Sequence, residues 1–104
     1  MFRIFTTEEF DRDFNKLDGF DKNRINKELG QIEINPYVGK PLGYKFFREK
    51  KVGGYWFYYL IYEEHVVVFV ISISTKKNQQ SAINKIKNLI PYYREEIKKK
   101  LNSS

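Results

Sequence analysis

The sequence contains no cysteine and only one histidine among its 104 residues. Without cysteine the chain can form no disulfide, thiolate nucleophile or zinc–thiolate site, and this composition suits a reducing compartment. The single histidine, His65, cannot make a two-histidine metal centre, and no cluster of acidic residues compensates for it. The sequence therefore predicts neither a metal site nor a cofactor.

Long apolar runs are also missing. No segment approaches the ~18 uninterrupted apolar residues of a membrane span, and the first ten residues, MFRIFTTEEF, lack the pattern of a signal peptide. No internal repeat or Gly/Ser-rich linker divides the chain. We therefore expect a single cytoplasmic domain over residues 1–104, with no membrane partner.

Aromatic and basic residues are abundant. Hydrophobic residues make up 41% of the chain and aromatic residues 17%, which is enough to build a core in a small domain. Nineteen lysines and arginines against 13 acidic residues give a net charge of +6. Residues 1–39 hold six basic and eight acidic side chains, residues 40–77 seven and three, and residues 78–104 six and two. A basic middle and C-terminal part favour a polyanionic partner.

The N-terminal half has helical periodicity after a short strand at residues 2–5. Apolar residues at helical spacing predict one helix through Leu17, ended by Asp18-Gly19, and a second helix capped by Asp21 and ended at Asn35-Pro36. The apolar positions of the two helices are Phe10, Phe14, Leu17, Ile25, Leu29 and Ile32. The sequence thus predicts two antiparallel helices.

The pattern changes from helical to extended near residue 44. Residues 36–43 are predicted as a loop, and residues 44–51, 55–62 and 66–74 as an antiparallel meander of three strands joined by tight turns. A helix begins at Asn78 and runs to residue 90. Beyond Pro91 a C-terminal helical extension, 91–104, forms after either a kink or a new helix start. The fold class is α+β.

Strand alternation predicts which side chains share a sheet face. A three-residue loop at Glu63-Glu64-His65 would place Val67, Phe69, Ile71 and Ile73 with Tyr55, Phe57, Tyr59 and Ile61 under the helices. The opposite, open face would then present Trp56, Tyr58, Ser72, Ser74 and Lys76. A two-residue Gly53-Gly54 turn would add Lys45, Phe47, Glu49 and Lys51, and a three-residue turn Tyr44, Phe46, Arg48 and Lys50. Aromatic rings among cations on a sheet face suit single-stranded RNA.

The segment GYWFYYLIYEEHVVVFVISISTKK, together with the two N-terminal helices and the KPLG loop, resembles the RelE/ParE toxin superfamily. The resemblance covers about residues 2–90. It implies a RelE-like domain: two antiparallel helices on a small antiparallel sheet of a short N-terminal strand and the meander, followed by a C-terminal helix. It also implies a type II toxin, neutralised by a cognate antitoxin protein, that acts as a metal-independent endoribonuclease on mRNA in the ribosome and arrests translation.

The resemblance also assigns roles to residues. Basic side chains stabilise the phosphate that the ribose 2′-hydroxyl attacks, and Lys76 and Lys45 are the catalytic candidates. The RNA-binding candidates are Lys45, Arg48, Lys50, Lys51, Trp56, Lys76 and Lys77. Two positions depart from the active pattern: Trp56 stands at an arginine position and Ala82 at the tyrosine position, for which Tyr92 or Tyr93 could substitute. The departures support an alternative, a non-catalytic or ParE-like protein that binds a topoisomerase or only its antitoxin.

Overall fold

In the computed structural model, which describes residues 1–103, one five-stranded sheet is covered by four α-helices. The strands are β1 (Arg3–Thr6), β2 (Lys40–Tyr44), β3 (Phe47–Val52), β4 (Tyr55–Tyr62) and β5 (Val67–Thr75). The helices are α1 (Glu8–Asn15), α2 (Gly19–Ile34), α3 (Gln79–Asn88) and α4 (Ile90–Asn102). The sheet order is β1-β5-β4-β3-β2, and the α+β prediction is confirmed.

The sheet is mixed, not wholly antiparallel as predicted. β1 pairs with β5 in parallel, whereas β2, β3, β4 and β5 form antiparallel pairs in the order of the sheet. The direction of β1 follows from the chain path: α1, α2 and three more strands separate β1 from β5, so no tight hairpin forces them to be antiparallel. The sequence pattern of a four-residue strand does not indicate whether it runs parallel or antiparallel to its neighbour.

Side-chain caps start both N-terminal helices. The Thr7 hydroxyl accepts a hydrogen bond from the backbone N–H of Phe10 (3.0 Å), and the Asp18 carboxylate accepts one from the N–H of Asp21 (2.8 Å). The second helix therefore starts at Asp18, and the prediction of Asp21 as its cap is corrected by one turn. Its predicted end, before Pro36, is confirmed.

The sequence predicted a loop over residues 36–43, and this prediction is wrong. These residues form a 3₁₀ turn at Pro36–Val38 and then most of β2. Proline and glycine in this stretch argue against a central strand, but β2 lies at the edge of the sheet, where the missing N–H of Pro41 needs no strand partner. Gly43 adopts a φ of +88°, which explains the glycine at the end of this strand.

Gly39 lies directly against the sheet. Its N–H donates to the Tyr59 hydroxyl (3.1 Å), and a Cβ at this position would lie against that hydroxyl oxygen and 2.7 Å from the backbone oxygen of Glu49.

We expect Gly39→Ala to lower the free energy of unfolding by about 2–3 kcal/mol because there is no room for the added methyl group between Tyr59 and Glu49. Gly30→Ala is the control: it meets open space inside α2 and should raise stability by about 0.5–1 kcal/mol. Urea denaturation of both variants tests this, and a Gly39→Ala protein as stable as wild type would contradict it.

Two apolar layers lie on opposite faces of the sheet. The layer under α1 and α2 contains Phe10, Ile25, Ile32, Phe57, Tyr59, Ile61, Val68 and Val70. The layer under α3 and α4 contains Phe47, Tyr58, Leu60, Tyr62, Val67, Phe69, Ile71, Ile83, Ile86, Tyr93 and Ile97. Both faces of β4 and β5 are therefore covered by helices.

The β4–β5 connection differs from the predicted three-residue loop. Tyr62 pairs with Val67, so four residues connect the strands, and Val66 among them adopts a φ of 54°. The extra residue exchanges the faces of β5, which puts Val67 and Phe69 under α3 and α4 instead of under α1 and α2. A β-bulge between Tyr58 and Tyr59 shifts the register back. Beyond the bulge, β5 follows the predicted alternation.

The C-terminal segment forms a new helix rather than a kinked continuation. Leu89 leaves the helical conformation, and Pro91 lies in the first turn of α4, where its missing N–H costs nothing. Tyr93 and Ile97 are buried against the sheet, so residues 91–103 complete the core and do not extend away from it. None of the helices formed by residues 1–103 is long and apolar enough to cross a membrane.

Buried tyrosines make the fold sensitive to alkali. Burial raises the pKa of Tyr59 and of Tyr93 to about 12, above the usual value near 10. The unfolded chain loses these protons first, so stability should be complete below pH ~10 and fall as the pH rises towards 12. Urea denaturation at several pH values tests this. Tyr93→Phe should lose less stability in that range than wild type, whereas Tyr92→Phe, at an exposed position, should follow wild type. Equal alkaline losses in the two variants would contradict the assignment.

Candidate functional site

The candidate site lies where the β3–β4 hairpin turns. Val52 pairs with Tyr55 across a two-residue Gly53-Gly54 turn, in which Gly53 has a φ of +61°. Of the two turn lengths left open by the sequence, the shorter is therefore correct, and Lys51 is directly opposite Trp56. The Lys51 ammonium lies 5.3 Å from the centre of the indole ring. A cation and a half-buried aromatic ring are thus held together on the sheet face that α3 covers.

Lys76 and Lys77 follow at the same end of the sheet. Ser74 on β5 is directly opposite Trp56, and a 3₁₀ turn, Lys76–Asn78, connects β5 to α3. The first residue of α3, Gln79, contacts the side chain of Glu49 on β3. Lys76 and Lys77, both exposed, therefore lie at the end of the sheet that also holds the Lys51–Trp56 pair.

A buried carboxylate lies among these cations. Glu49 is only 6% exposed, and among the described residues it is the one acidic side chain in the buried class. Its Oε1 accepts a hydrogen bond from Gln79 Nε2 (3.0 Å). Lys40 on β2 is directly opposite Glu49, so the two side chains share a face. Glu49, Gln79, Lys40, Lys51 and Trp56 all line one shallow depression of about 430 Å³.

The sequence predicted an open sheet face beside this depression, but the structure shows that helices cover it. Tyr58, Ser72 and Ser74 are 0%, 4% and 8% exposed because α3 and α4 cover them. The Tyr58 hydroxyl and Ser74 Oγ form a hydrogen bond (2.6 Å). Burial raises the pKa of Tyr58, with a smaller increase from the Glu49 charge, and the bond to Ser74 opposes both. Tyr58 therefore keeps its proton and supports the depression from below.

Arg48 and Lys50 alternate with Glu49 and Lys51 along β3, so their side chains leave the opposite face of the sheet, although Lys50 is among the residues that line the depression. Lys50 forms an ion pair with Glu28 of α2 (3.6 Å). The guanidinium of Arg48 donates to the backbone oxygens of Tyr37 (2.9 Å) and Gly39 (2.8 Å). Alternation explains the separation, since adjacent residues of a strand face opposite sides of the sheet. The charged groups of Arg48 and Lys50 are therefore held by contacts within the domain.

Lys45 lies at the far end of the sheet from Lys76. It belongs to the β2–β3 turn, and its ammonium is 5.2 Å from the centre of the Tyr37 ring. Phe47, two residues further on, pairs with Leu60, whereas Lys76 follows the residue paired with Tyr55. The five residue steps along β4 between these two levels correspond to about 16 Å. Lys45 and Lys76, the two predicted catalytic residues, thus lie at opposite ends of the sheet, and Lys51 is the β3 lysine at the same end as Lys76.

Ala82 stands where the active RelE pattern has a tyrosine. It lies on α3 and packs against the sheet. Tyr93 of α4 lines the same small cleft as Ala82 and Ser74, and its ring lies edge-on to Phe69 at 6.1 Å between centroids. Tyr93 is buried, whereas Tyr92 is 55% exposed on the outer side of α4. The structure therefore brings Tyr93, and not Tyr92, to the sheet beside Ala82.

Lys40, Glu49 and Gln79 were not among the predicted site residues. Lys40 lies in the segment predicted as a loop, and Glu49 was placed on the open sheet face in one of the two turn alternatives but given no role. One signal in the sequence was usable: Glu49 is an acid at an inward strand position, where an unpaired charge is costly, so a partner had to exist. The partner itself, Gln79, is 30 residues away, and only the tertiary fold identifies it.

Comparison with solved structures defines the class of fold. A chain of the E. coli RelBE toxin–antitoxin complex matches with a TM-score of 0.67 and 25% identity, covering 72% of this chain and 96% of that one. The isolated E. coli RelE toxin matches with a TM-score of 0.67 and 24% identity, covering 83% and 99%. A RelBE complex of Mycobacterium tuberculosis matches with a TM-score of 0.63 and 24% identity, covering 72% and 98%. The chain therefore has the fold of a RelE toxin.

The structure thus confirms the RelE-like fold that the sequence resemblance predicted, and its similarity to RelE toxins supports the RelE/ParE relationship. Comparison at the level of sequence finds no matching family model and no matching curated protein. The residues of the candidate site must therefore be interpreted from their own geometry.

Proposed function

We propose that the chain is the toxin of a type II toxin–antitoxin module and cleaves mRNA held in the ribosome. One arrangement supports the proposal above all others: on a RelE-like sheet, the Lys51–Trp56 pair lies beside the buried carboxylate of Glu49, and Lys76 and Lys77 follow at the same end of the sheet. Cations suit phosphates, an indole suits a stacked base, and a carboxylate suits a transferred proton. An intracellular target implies a cytoplasmic protein.

The proposed reaction is an internal transesterification. Glu49 takes the proton of the ribose 2′-hydroxyl, and O2′ attacks the adjacent phosphorus atom. The bond from phosphorus to O5′ breaks, and the departing oxygen takes a proton from a lysine ammonium or from water. The products are a 2′,3′-cyclic phosphate and a 5′-hydroxyl, so atoms and charges balance.

The cations have separate tasks in this proposal. Lys51 and Lys76 stabilise the negative charge that develops on the phosphate oxygens, while Lys77 and Lys40 hold flanking phosphates. Trp56 stacks on one base and replaces the arginine of the active RelE pattern, which it cannot match as a cation. We therefore expect cleavage to be slow compared with a site that has an arginine at this position.

A cognate antitoxin is the proposed protein partner. The RelBE structures of E. coli and M. tuberculosis are toxin–antitoxin complexes with matching chains. On this chain, α1 and α4 enclose a groove of about 560 Å³ that includes the exposed ring of Tyr92. The buried stripe of Tyr93 and Ile97 is satisfied within the domain, so the groove is a better candidate for partner contact.

Induction of the wild-type chain in cells tests the function. We expect growth arrest, with primer extension revealing cuts inside ribosome-bound codons, and rescue by co-expression of the cognate antitoxin. Intact mRNA on arrested ribosomes, or normal growth after induction, would count against the proposal.

The second candidate function is a ParE-like or non-catalytic binding protein. It is favoured by the two departures at Trp56 and Ala82, which remove a cation and a hydroxyl from the expected positions. Supercoiling assays separate the candidates, because a topoisomerase poison stabilises cleaved DNA and leaves mRNA intact.

A further inference from the structure

The Gln79 side chain connects α3 to β3 through a hydrogen bond. Gln79 is the first residue of α3, and its Nε2 donates to Oε1 of Glu49 on β3 at 3.0 Å. The acceptor is a carboxylate that is 6% exposed. A hydrogen bond to a largely buried anion is stronger than an average one, since little water competes for the same oxygen.

The chemical nature of the donor is informative. A lysine at this distance would form a closed ion pair with Glu49 and oppose any transfer of a proton to it. The amide of glutamine stays neutral and can neither gain nor lose a proton at ordinary pH. It therefore fixes the rotation of the carboxylate through Oε1, and Oε2 remains to accept a proton.

The location of the donor couples the base to the phosphate-binding turn. Gln79 directly follows the 3₁₀ turn that contains Lys76 and Lys77, so one short segment supplies both the cations and the contact to Glu49. The positive end of the α3 dipole also favours an anionic side chain at this point. Small shifts of the turn would change both the phosphate ligands and the orientation of the base.

We propose that Gln79 is a positioning residue, which fixes the anionic Glu49 carboxylate so that its second oxygen takes the proton from the ribose 2′-hydroxyl. The inference rests on the proposed ribonuclease function and adds a role that neither the sequence pattern nor the fold assigns. Gln79 itself touches no reacting atom.

The test compares Gln79→Leu with Gln80→Leu in single-turnover cleavage of ribosome-bound mRNA across pH 5.5–8.5. Gln80 is the matched control, because it is adjacent and exposed and bonds only to Asn84 (3.0 Å) on its own helix. We expect Gln79→Leu to lower the cleavage rate about tenfold across this pH range and to leave KM within about twofold, because a misoriented base slows the chemical step and not the binding of RNA. Gln80→Leu should follow wild type.

Two further proteins separate positioning from a structural role. Gln79→Glu keeps the size of the side chain but replaces the amide donor by a carboxylate that cannot donate to Glu49, so its cleavage rate should fall at least as far as that of Gln79→Leu. The double variant Glu49→Gln, Gln79→Leu should be no slower than Glu49→Gln alone, because Gln79 acts through Glu49. Thermal unfolding shows whether each variant folds. If Gln79→Leu does not fold, Gln79→Glu replaces it in the comparison with Gln80→Leu.

The outcomes distinguish the two proposals. If wild type leaves ribosome-bound mRNA intact, the ribonuclease function fails and the role of Gln79 fails with it. If wild type cleaves and Gln79→Leu cleaves at the wild-type rate, or loses activity only through KM, the role of Gln79 alone is overturned. Additive losses in the double variant would also overturn it.

Discussion

Glu49→Gln should lower the rate of mRNA cleavage by about a hundredfold to a thousandfold while the affinity for RNA stays the same or increases. A positioned general base contributes at least about a hundredfold to such reactions, and glutamine cannot accept the proton. Affinity should not fall, because the substitution removes a negative charge beside phosphate-binding lysines. Single-turnover rates on programmed ribosomes, together with RNA binding by fluorescence anisotropy, measure both quantities.

The substitution is also conservative for the fold. The side-chain oxygen of glutamine can still accept the hydrogen bond from Gln79, so the contact between β3 and α3 is kept. Glu28→Gln is a control that removes a carboxylate on the opposite face of the sheet, where it pairs with Lys50. Cleavage by Glu49→Gln at the wild-type rate would show that the proton goes elsewhere and would remove Glu49 from the mechanism.

Lys76→Glu should abolish growth arrest and slow cleavage by more than about a hundredfold. Loss of one positioned stabiliser of a developing negative charge typically costs about two to three orders of magnitude, and a carboxylate at that position adds repulsion of the phosphate. Stability should change by less than about 0.5 kcal/mol, since Lys76 is exposed at the end of β5. Colony counts after induction, cleavage rates and urea denaturation provide the three measurements.

Lys27→Glu makes the same change of charge at an exposed position on α2, on the side of the sheet away from Trp56. It controls for the general effect of net charge on association with the ribosome, which should be modest. A Lys76→Glu protein as toxic as wild type would refute the site assignment. Equal losses in the two variants would mean that total charge, and not the site, determines activity.

The fold was largely predictable from local patterns. Apolar residues at helical spacing predicted the α1–α2 pair, and aromatic and β-branched runs predicted β3, β4 and β5. The errors lie where local chemistry is ambiguous. β2 was missed because Pro41 and Gly43 argue against a strand unless it lies at a sheet edge. The faces of the first half of β5 were exchanged because the connection after Tyr62 has four residues and not three.

The site was predictable only in part. The sequence placed Trp56 beside Ser74, and Lys51 beside Trp56 in one of its two alternatives, because alternation and a two-residue turn are local properties. It could not separate Lys45 from Lys76, since both are basic residues near strand ends. The distance between them depends on how far each strand extends, which is a property of the assembled sheet.

By itself, the sequence determined the class of the protein: a basic, cysteine-free α+β domain whose strands mix aromatic rings and lysines. Only the tertiary structure decided which charges act together. Alternation along β3 sends Lys50 to Glu28 and Lys51 to Trp56, although they are neighbours in the chain. The connection from β5 to α3 then carries Gln79 across the sheet to Glu49, a contact between residues 30 positions apart that no local pattern contains.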